Sequence, residues 1–211
     1  MKPDRQHHLR LKICGITRLE DALLATSLGV DALGFVFYEK SPRYINPVKA
    51  HEIIKQLPPF VTIVGLFVNP SQMLVDDVLA TCALDIIQLH GDESPRFCAA
   101  QHRRVVKALP IAEAKDFMRL SEYHCPVLLD AKAPKGVYGG TGQSFDWSLI
   151  QDINHEFPII LAGGIHVGNI VDAMGVQGIY GLDVSSGVES SKGLKDREKM
   201  KYLCEKFYHG L

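Results

Sequence analysis

An α/β fold, a single (βα)8 or TIM barrel, is what this sequence predicts, and three observations carry the prediction. Short β-branched or aliphatic runs alternate with amphipathic stretches along the chain, eight times in 211 residues. The runs show no clear apolar–polar alternation, as expected of parallel strands buried on both faces. No Pro/Ser-rich linker divides the chain, and closing the strands into a barrel leaves no edge exposed. An open doubly wound sheet is the runner-up, but the GxGxxG fingerprint that favours it is missing after the first strand. The expected organisation is a mobile polar tail over residues 1–10 and one barrel domain over residues 11–211.

The elements follow in order. The first strand starts at Leu11 and ends on Cys14-Gly15. Thr17-Arg18-Leu19-Glu20 reads as a capping box. It opens a helix with Ala22, Leu23, Thr26 and Leu28 inward, stopped by Gly29. The second strand, Leu33 to Phe37, leads through Ser41-Pro42-Arg43-Tyr44 to Asn46-Pro47, an N-cap with proline in the first turn. Ala50, Ile53, Ile54 and Leu57 repeat at helical spacing after it. The third strand is Thr62 to Phe67, and its helix presents Leu74, Val75, Val78 and Leu79. The fourth, Ile86 to Leu89, ends at His90-Gly91, before a helix starting near Ser94-Pro95. The fifth, Val105 to Ala108, precedes a helix around Ala112 to Leu120. Val127 to Leu129 is the sixth and reaches Asp130; a Gly-rich loop and a helix capped by Asp146 come next. The seventh, Ile159 to Ala162, runs into Gly163-Gly164, and the eighth, near Ile179 to Asp183, into Val184-Ser185-Ser186-Gly187. A last helix carries Met200, Leu203, Cys204 and Phe207 as one apolar stripe.

Composition narrows the function classes. A net charge of -1 gives no reason to expect nucleic acid or an anionic membrane as partner. No apolar run approaches the ~20 residues of a membrane span, and Met1 to Arg10 lacks the apolar core of a signal peptide. The five cysteines are scattered and form no CxxC pair, which argues against a disulfide framework and a zinc site. A reduced, cytoplasmic, metal-free and cofactor-free protein is expected, a monomer with a dimer as the alternative.

Candidate chemistry gathers where strands hand over to helices, the face on which parallel α/β proteins bind ligands. Cys14 stands there, followed by a glycine that leaves space beside it; the plainer reading is a small buried hydrophobe. Asp130 ends the sixth strand, unless it caps a turn or pairs with Lys132, and Asp183 ends the eighth. Gly163-Gly164 and Ser185-Ser186-Gly187 bring backbone N–H groups and hydroxyls to the mouth, the latter on a turn suited to opening a short helix. Together they read as a phosphate site rather than two tight turns. Asp31 and Asp85 precede strands and read as structural. Residues Ala133 to Gln143, rich in glycine and carrying Lys135 and Tyr138, are a candidate lid. A thiol and carboxyls without evident metal ligands suit proton transfer on a phosphorylated small molecule. A ribulose-phosphate epimerase and a non-catalytic phosphate or flavin phosphate binder are the competing readings.

The residues also resemble a known family, the phosphoribosylanthranilate isomerases of tryptophan biosynthesis, from about Leu11 to Phe207. The marks are Lys12-Ile13-Cys14-Gly15-Ile16-Thr17, Gly34-Phe35-Val36-Phe37, Ser41-Pro42-Arg43-Tyr44 and Gln88-Leu89-His90-Gly91. Leu129-Asp130, Gly139-Gly140-Thr141-Gly142, Phe145-Asp146-Trp147, Ala162-Gly163-Gly164 and Asp183-Val184-Ser185-Ser186-Gly187-Val188-Glu189 complete them. The resemblance implies Cys14 as general base, Asp130 as general acid and Arg43 as holder of the anthranilate carboxylate. It adds His90 and Gly142 to Gly163, Gly164, Asp183, Ser185, Ser186 and Gly187 as substrate-binding positions. One departure is visible: Ser190-Ser191-Lys192-Gly193 stands where many relatives carry a Pro-Gly step.

Overall fold

The computed structural model describes residues 9–131, 144–150, 153 and 155–210. Eight parallel strands close a barrel in sequence order, β1 pairing with both β2 and β8. They are β1 Arg10–Cys14, β2 Ala32–Val36, β3 Thr62–Phe67, β4 Ile86–Leu89, β5 Arg104–Ile111, β6 Val127–Ala131, β7 Ile159–Leu161 and β8 Gly181–Val184. Helices α1 Leu19–Ser27, α2 Pro47–Ile54, α3 Gln72–Thr81 and α4 Pro95–Ala99 follow the first four strands. The 3-10 segments Ala114–Glu122 and Trp147–Ile150 follow β5 and β6, and α5 Ile170–Met174 follows β7. A two-stranded hairpin, β9 Glu189–Ser191 with β10 Leu194–Lys195, separates β8 from α6 Arg197–His209. Among the described residues no helix is long and apolar enough to cross a membrane.

Alternation along each strand sorts the side chains. Leu11 and Ile13 of β1 face outward into the main core beneath the helices, with Ala22, Ala25, Leu203 and Phe207. The side chain of Cys14 instead joins Val36, Leu66 and Val68 inside the barrel mouth. A second inward group, Val106, Ala108, Leu128 and Ala162, fills the other side. At the opposite end, Asp31 accepts from the Leu11 N–H at 2.9 Å and Asp85 from the Ile63 N–H at 2.7 Å, tying strand starts together.

Several local expectations need correction. The Thr17 hydroxyl does not cap α1: it donates to the Gly193 carbonyl of the hairpin, and Arg18 takes the N-cap position without a side-chain cap. Leu23 is exposed, and the buried face of α1 is Asp21, Ala22 and Ala25. Asp21 turns inward because Arg18 forks onto it and the Lys195 N–H donates to it, so a polar contact decides the helix's rotation. The segment after β5 is a 3-10 helix rather than an α-helix, and β5 itself continues to Ile111. The turn at Ser185–Gly187 opens β9, not a helix. Of the tail expected over residues 1–10, residues 1–8 lie outside the described residues, and Arg10 belongs to β1.

Candidate active site

Period-two geometry puts Lys12 and Cys14 on one face of β1, the inner one. Cys14 is 4% exposed and lines a cleft in the barrel mouth, over the C-terminal strand ends. Its carbonyl accepts from the Ser185 hydroxyl at 3.1 Å and from the Lys195 ammonium. Gly34 of β2 faces it: a Cβ there would lie 2.7 Å from the Cys14 Sγ and 3.1 Å from the Lys12 Nζ. Glycine therefore lets both side chains lie against the neighbouring strand. Lys12 pairs with Asp183 at 2.8 Å, a buried ion pair across β1 and β8. Burial pushes the Cys14 thiol up, and Lys12 opposes that rise. Burial works against the Lys12 charge, but Asp183 and Cys14 outweigh it and hold the ammonium above its usual range.

Asp130 reaches the same cleft from β6. Its Oδ1 accepts from the Ala131 N–H at 2.9 Å, and its Oδ2 lies 3.1 Å from His90 Nε2. The Gln88 amide nitrogen sits 3.0 Å from His90 Nδ1, and Gln88 is 1% exposed. With that amide donating, Nδ1 is the acceptor and Nε2 carries the proton toward Asp130. A Cβ on Gly163 would stand 3.0 Å from Asp130 Oδ1 and closer still to the Ala131 nitrogen, so bare backbone there leaves the carboxyl its room. Lys132 lies outside the described residues, as do the proposed lid at 133–143 and Gly142.

Arg43, in the loop between β2 and α2, lines the cleft although it is nearly buried. Its Nε and Nη2 fork onto Glu189 of β9, both at 2.8 Å. Glu189 also receives Lys195 at 2.9 Å. Burial opposes its charge, but Arg43 and Lys195 hold its carboxyl below the usual range. The Lys195 ammonium is pulled below its usual range chiefly by burial. Arginine carries five N–H donors, so the Glu189 fork leaves the Nη1–Nη2 edge for a second acid.

Gly163 and Gly164 hold φ +83 and +66, left-handed values that only glycine adopts freely. The side chain of Asn169 fastens this loop, donating to the Gly164 carbonyl at 3.0 Å and accepting from the His166 N–H at 2.8 Å. Gly164, Ser185 and Ser186 line the cleft beside Asp183. Gly187 stands behind the wall: it bridges to His166, and a Cβ would collide with the Ile165 carbonyl. All five cysteines are free thiols. Among the described residues, no three His, Cys, Asp or Glu side chains are grouped to hold a metal ion.

The model of one sequence family, described as N-(5'phosphoribosyl)anthranilate (PRA) isomerase, matches residues 11–206. The chain belongs to this family. It is 50% identical over 195 residues to the N-(5'-phosphoribosyl)anthranilate isomerase of Citrifermentans bemidjiense, covering 92% of this chain and 94% of that one. The crystal structure of phosphoribosyl anthranilate isomerase from Thermotoga maritima superposes with a TM-score of 0.88 at 44% identity, covering 96% of this chain and all of that one. Another crystal structure of the isomerase, in complex with reduced 1-(o-carboxyphenylamino)-1-deoxyribulose 5-phosphate, superposes at 0.84 and 40% identity, covering 96% of this chain and 100% of that one.

Within this isomerase fold, four polar residues escape the sequence reading: Lys12, Gln88, Glu189 and Lys195. All four are buried. A signal for the first two was available: each is a charged or amide residue at an inward position of a short strand run, two places before Cys14 and His90 respectively. No local pattern announces Glu189 and Lys195, whose partners are Arg43 and the Cys14 carbonyl far back in the chain.

Proposed function

We propose that the chain rearranges N-(5'-phosphoribosyl)anthranilate to 1-(2-carboxyphenylamino)-1-deoxy-D-ribulose 5-phosphate in tryptophan biosynthesis, with Cys14 as general base and Asp130 as general acid. One observation carries the mechanism: a thiol and a carboxyl line the same cleft between Arg43 and the glycine and serine loops after β7 and β8. The substrate has an anion at each end, and these two groups of donors suit them. Gly164, Ser185 and Ser186 take the phosphate, and the remaining edge of Arg43 takes the anthranilate carboxylate.

The reaction is an internal redox exchange, C1′ being reduced as C2′ is oxidised, so proton movement alone completes it. Asp130 gives its proton to the ribose ring oxygen, the C1′–O bond breaks, and the aniline nitrogen lone pair forms an iminium. That cation acidifies the C2′–H, and the Cys14 thiolate removes the proton to leave an enolamine. Tautomerisation delivers a proton to C1′ and takes one from the 2′ oxygen. Cys14 then releases its proton and Asp130 regains one, so the cycle closes. The His90 N–H on Oδ2 stabilises the carboxylate that Asp130 becomes. A thiolate base suits a reducing compartment, the cytoplasm.

Loss of substrate fluorescence follows the reaction directly. Cys14→Ser and Asp130→Asn each lower kcat by roughly 10²-fold or more with the fold intact. Near-normal turnover in either variant removes that residue from the mechanism.

A further inference from the structure

We propose that Lys12 is a positioning residue for the reaction: its ammonium, held between Asp183 and Cys14, makes the buried thiol available as a thiolate. The proposal rests, for its effect on turnover, on the reading of Cys14 as base. Lys12 and Cys14 leave β1 on the same face and press against the same bare spot on β2, at Gly34. One ammonium N–H reaches Asp183 Oδ1 at 2.8 Å, while the sulfur and the ammonium nitrogen lie 2.7 and 3.1 Å from the one point where a Gly34 Cβ would stand. The lower barrel interior around Lys12 is lined by Val64 and Val106 as well as by the uncharged Gln88, so Lys12 is the charged side chain among these inward neighbours. A buried ion pair adds little to stability over an apolar replacement, which directs attention to function.

The other charges around Cys14 are committed elsewhere or act against the thiolate. Asp183 from β8 repels it. Lys195 from β10 reaches the Cys14 carbonyl and Glu189, and Arg43 from the loop after β2 forks onto Glu189. Asp130 from β6 and His90 after β4 bond each other across the cleft. Lys195 also favours the thiolate, but Lys12 acts on it more strongly and is the cation that shares the gap at Gly34 with the sulfur. On ionisation the thiol proton leaves to solvent, and Lys12 remains an ammonium throughout.

The test is alkylation of Cys14 by iodoacetamide against pH, read on its own peptide. Burial pushes Cys98 up to about 11 and Cys204 to about 12, so those thiols compete little. The proposal requires opposite signs from two variants. Lys12→Met slows Cys14 alkylation at pH 7 at least tenfold while the alkaline plateau is unchanged; Asp183→Asn speeds it; Lys12→Arg keeps it fast. Should Lys12→Met fail to fold, the comparison of Asp183→Asn with Lys12→Met/Asp183→Asn decides, and the double variant is expected to be at least tenfold slower. An unmoved profile in the Lys12→Met protein overturns the proposal, as do shifts of one sign in both single variants or equal rates in that fallback pair. If the thiol shifts but the acid limb of kcat/KM does not, Lys12 keeps its role at the sulfur and Cys14 loses its role as base.

Discussion

Replacing Arg43 by Ala separates the two ends of the substrate. The guanidinium spends Nε and Nη2 on Glu189, which leaves its Nη1–Nη2 edge uncommitted to that carboxylate, and Arg43 lines the cleft. Removing it does not strand Glu189, because Lys195 still pairs with that carboxylate at 2.9 Å. The barrel mouth therefore keeps its shape, and the loss falls on the ligand. Hydrogen bonds to charged groups are worth about 1.5–3 kcal/mol, which is a weakening of roughly 10- to 150-fold. The assay compares inhibition constants of the reduced carboxyphenylamino-deoxyribulose phosphate and of inorganic phosphate, in wild type and in Arg43→Ala. The first constant is expected to rise by that factor and the second to hardly change, since the proposed phosphate site is made by the loops after β7 and β8 and not by Arg43. Equal loss for both ligands would mean a disturbed mouth, and no loss for the analogue would refute the assignment of Arg43 to the carboxylate.

Two further outcomes follow from the same geometry. Gly34→Ala puts a Cβ 2.7 Å from the Cys14 Sγ, closer than real contacts allow, so kcat falls while far-ultraviolet circular dichroism stays native; an unchanged kcat would show that the sulfur's position is not critical. Glu189 has a folded-state pKa below the usual value, because Arg43 and Lys195 outweigh its burial. Its contribution is therefore complete above the unfolded carboxylate value, about 4.3, and is lost as pH falls through the lower folded value. Melting temperatures of Glu189→Gln should accordingly fall less steeply with acidification than those of wild type; parallel curves would contradict the pairing.

The barrel was legible because its strands are short, apolar and regularly spaced, and because glycine or proline marks most handovers. Cys14, Asp130 and Asp183 were legible for the same reason: a reactive residue closing a strand run points to the ligand face. What escaped depended on contacts between distant residues. Thr17 looks like a cap until the hairpin brings the Gly193 carbonyl to its hydroxyl. Leu23 looks inward until Asp21, pinned by Arg18 and the Lys195 N–H, turns α1 another way. Glu189 and Arg43 lie 146 residues apart, and nothing in Ser190 to Gly193 announces the hairpin, turning at Lys192-Gly193, that carries both Glu189 and Lys195. Lys12 and Gln88 were overlooked because a polar residue in a strand usually signals solvent, whereas a barrel lumen is a second interior.

The central claim is that the Cys14 thiolate takes the C2′ proton, and kcat/KM reports the ionisation of the free protein's essential base. Cys14 is raised by burial, with Lys12 opposing, so the active form appears only as pH rises through that elevated value. The most direct measurement sets the acid limb of kcat/KM beside the ionisation of Cys14 followed by alkylation in the same buffers. The two midpoints are expected to coincide, and to move alkaline together in the Lys12→Met protein. Full activity at a pH where Cys14 is still protonated would contradict the account and assign the base to another group.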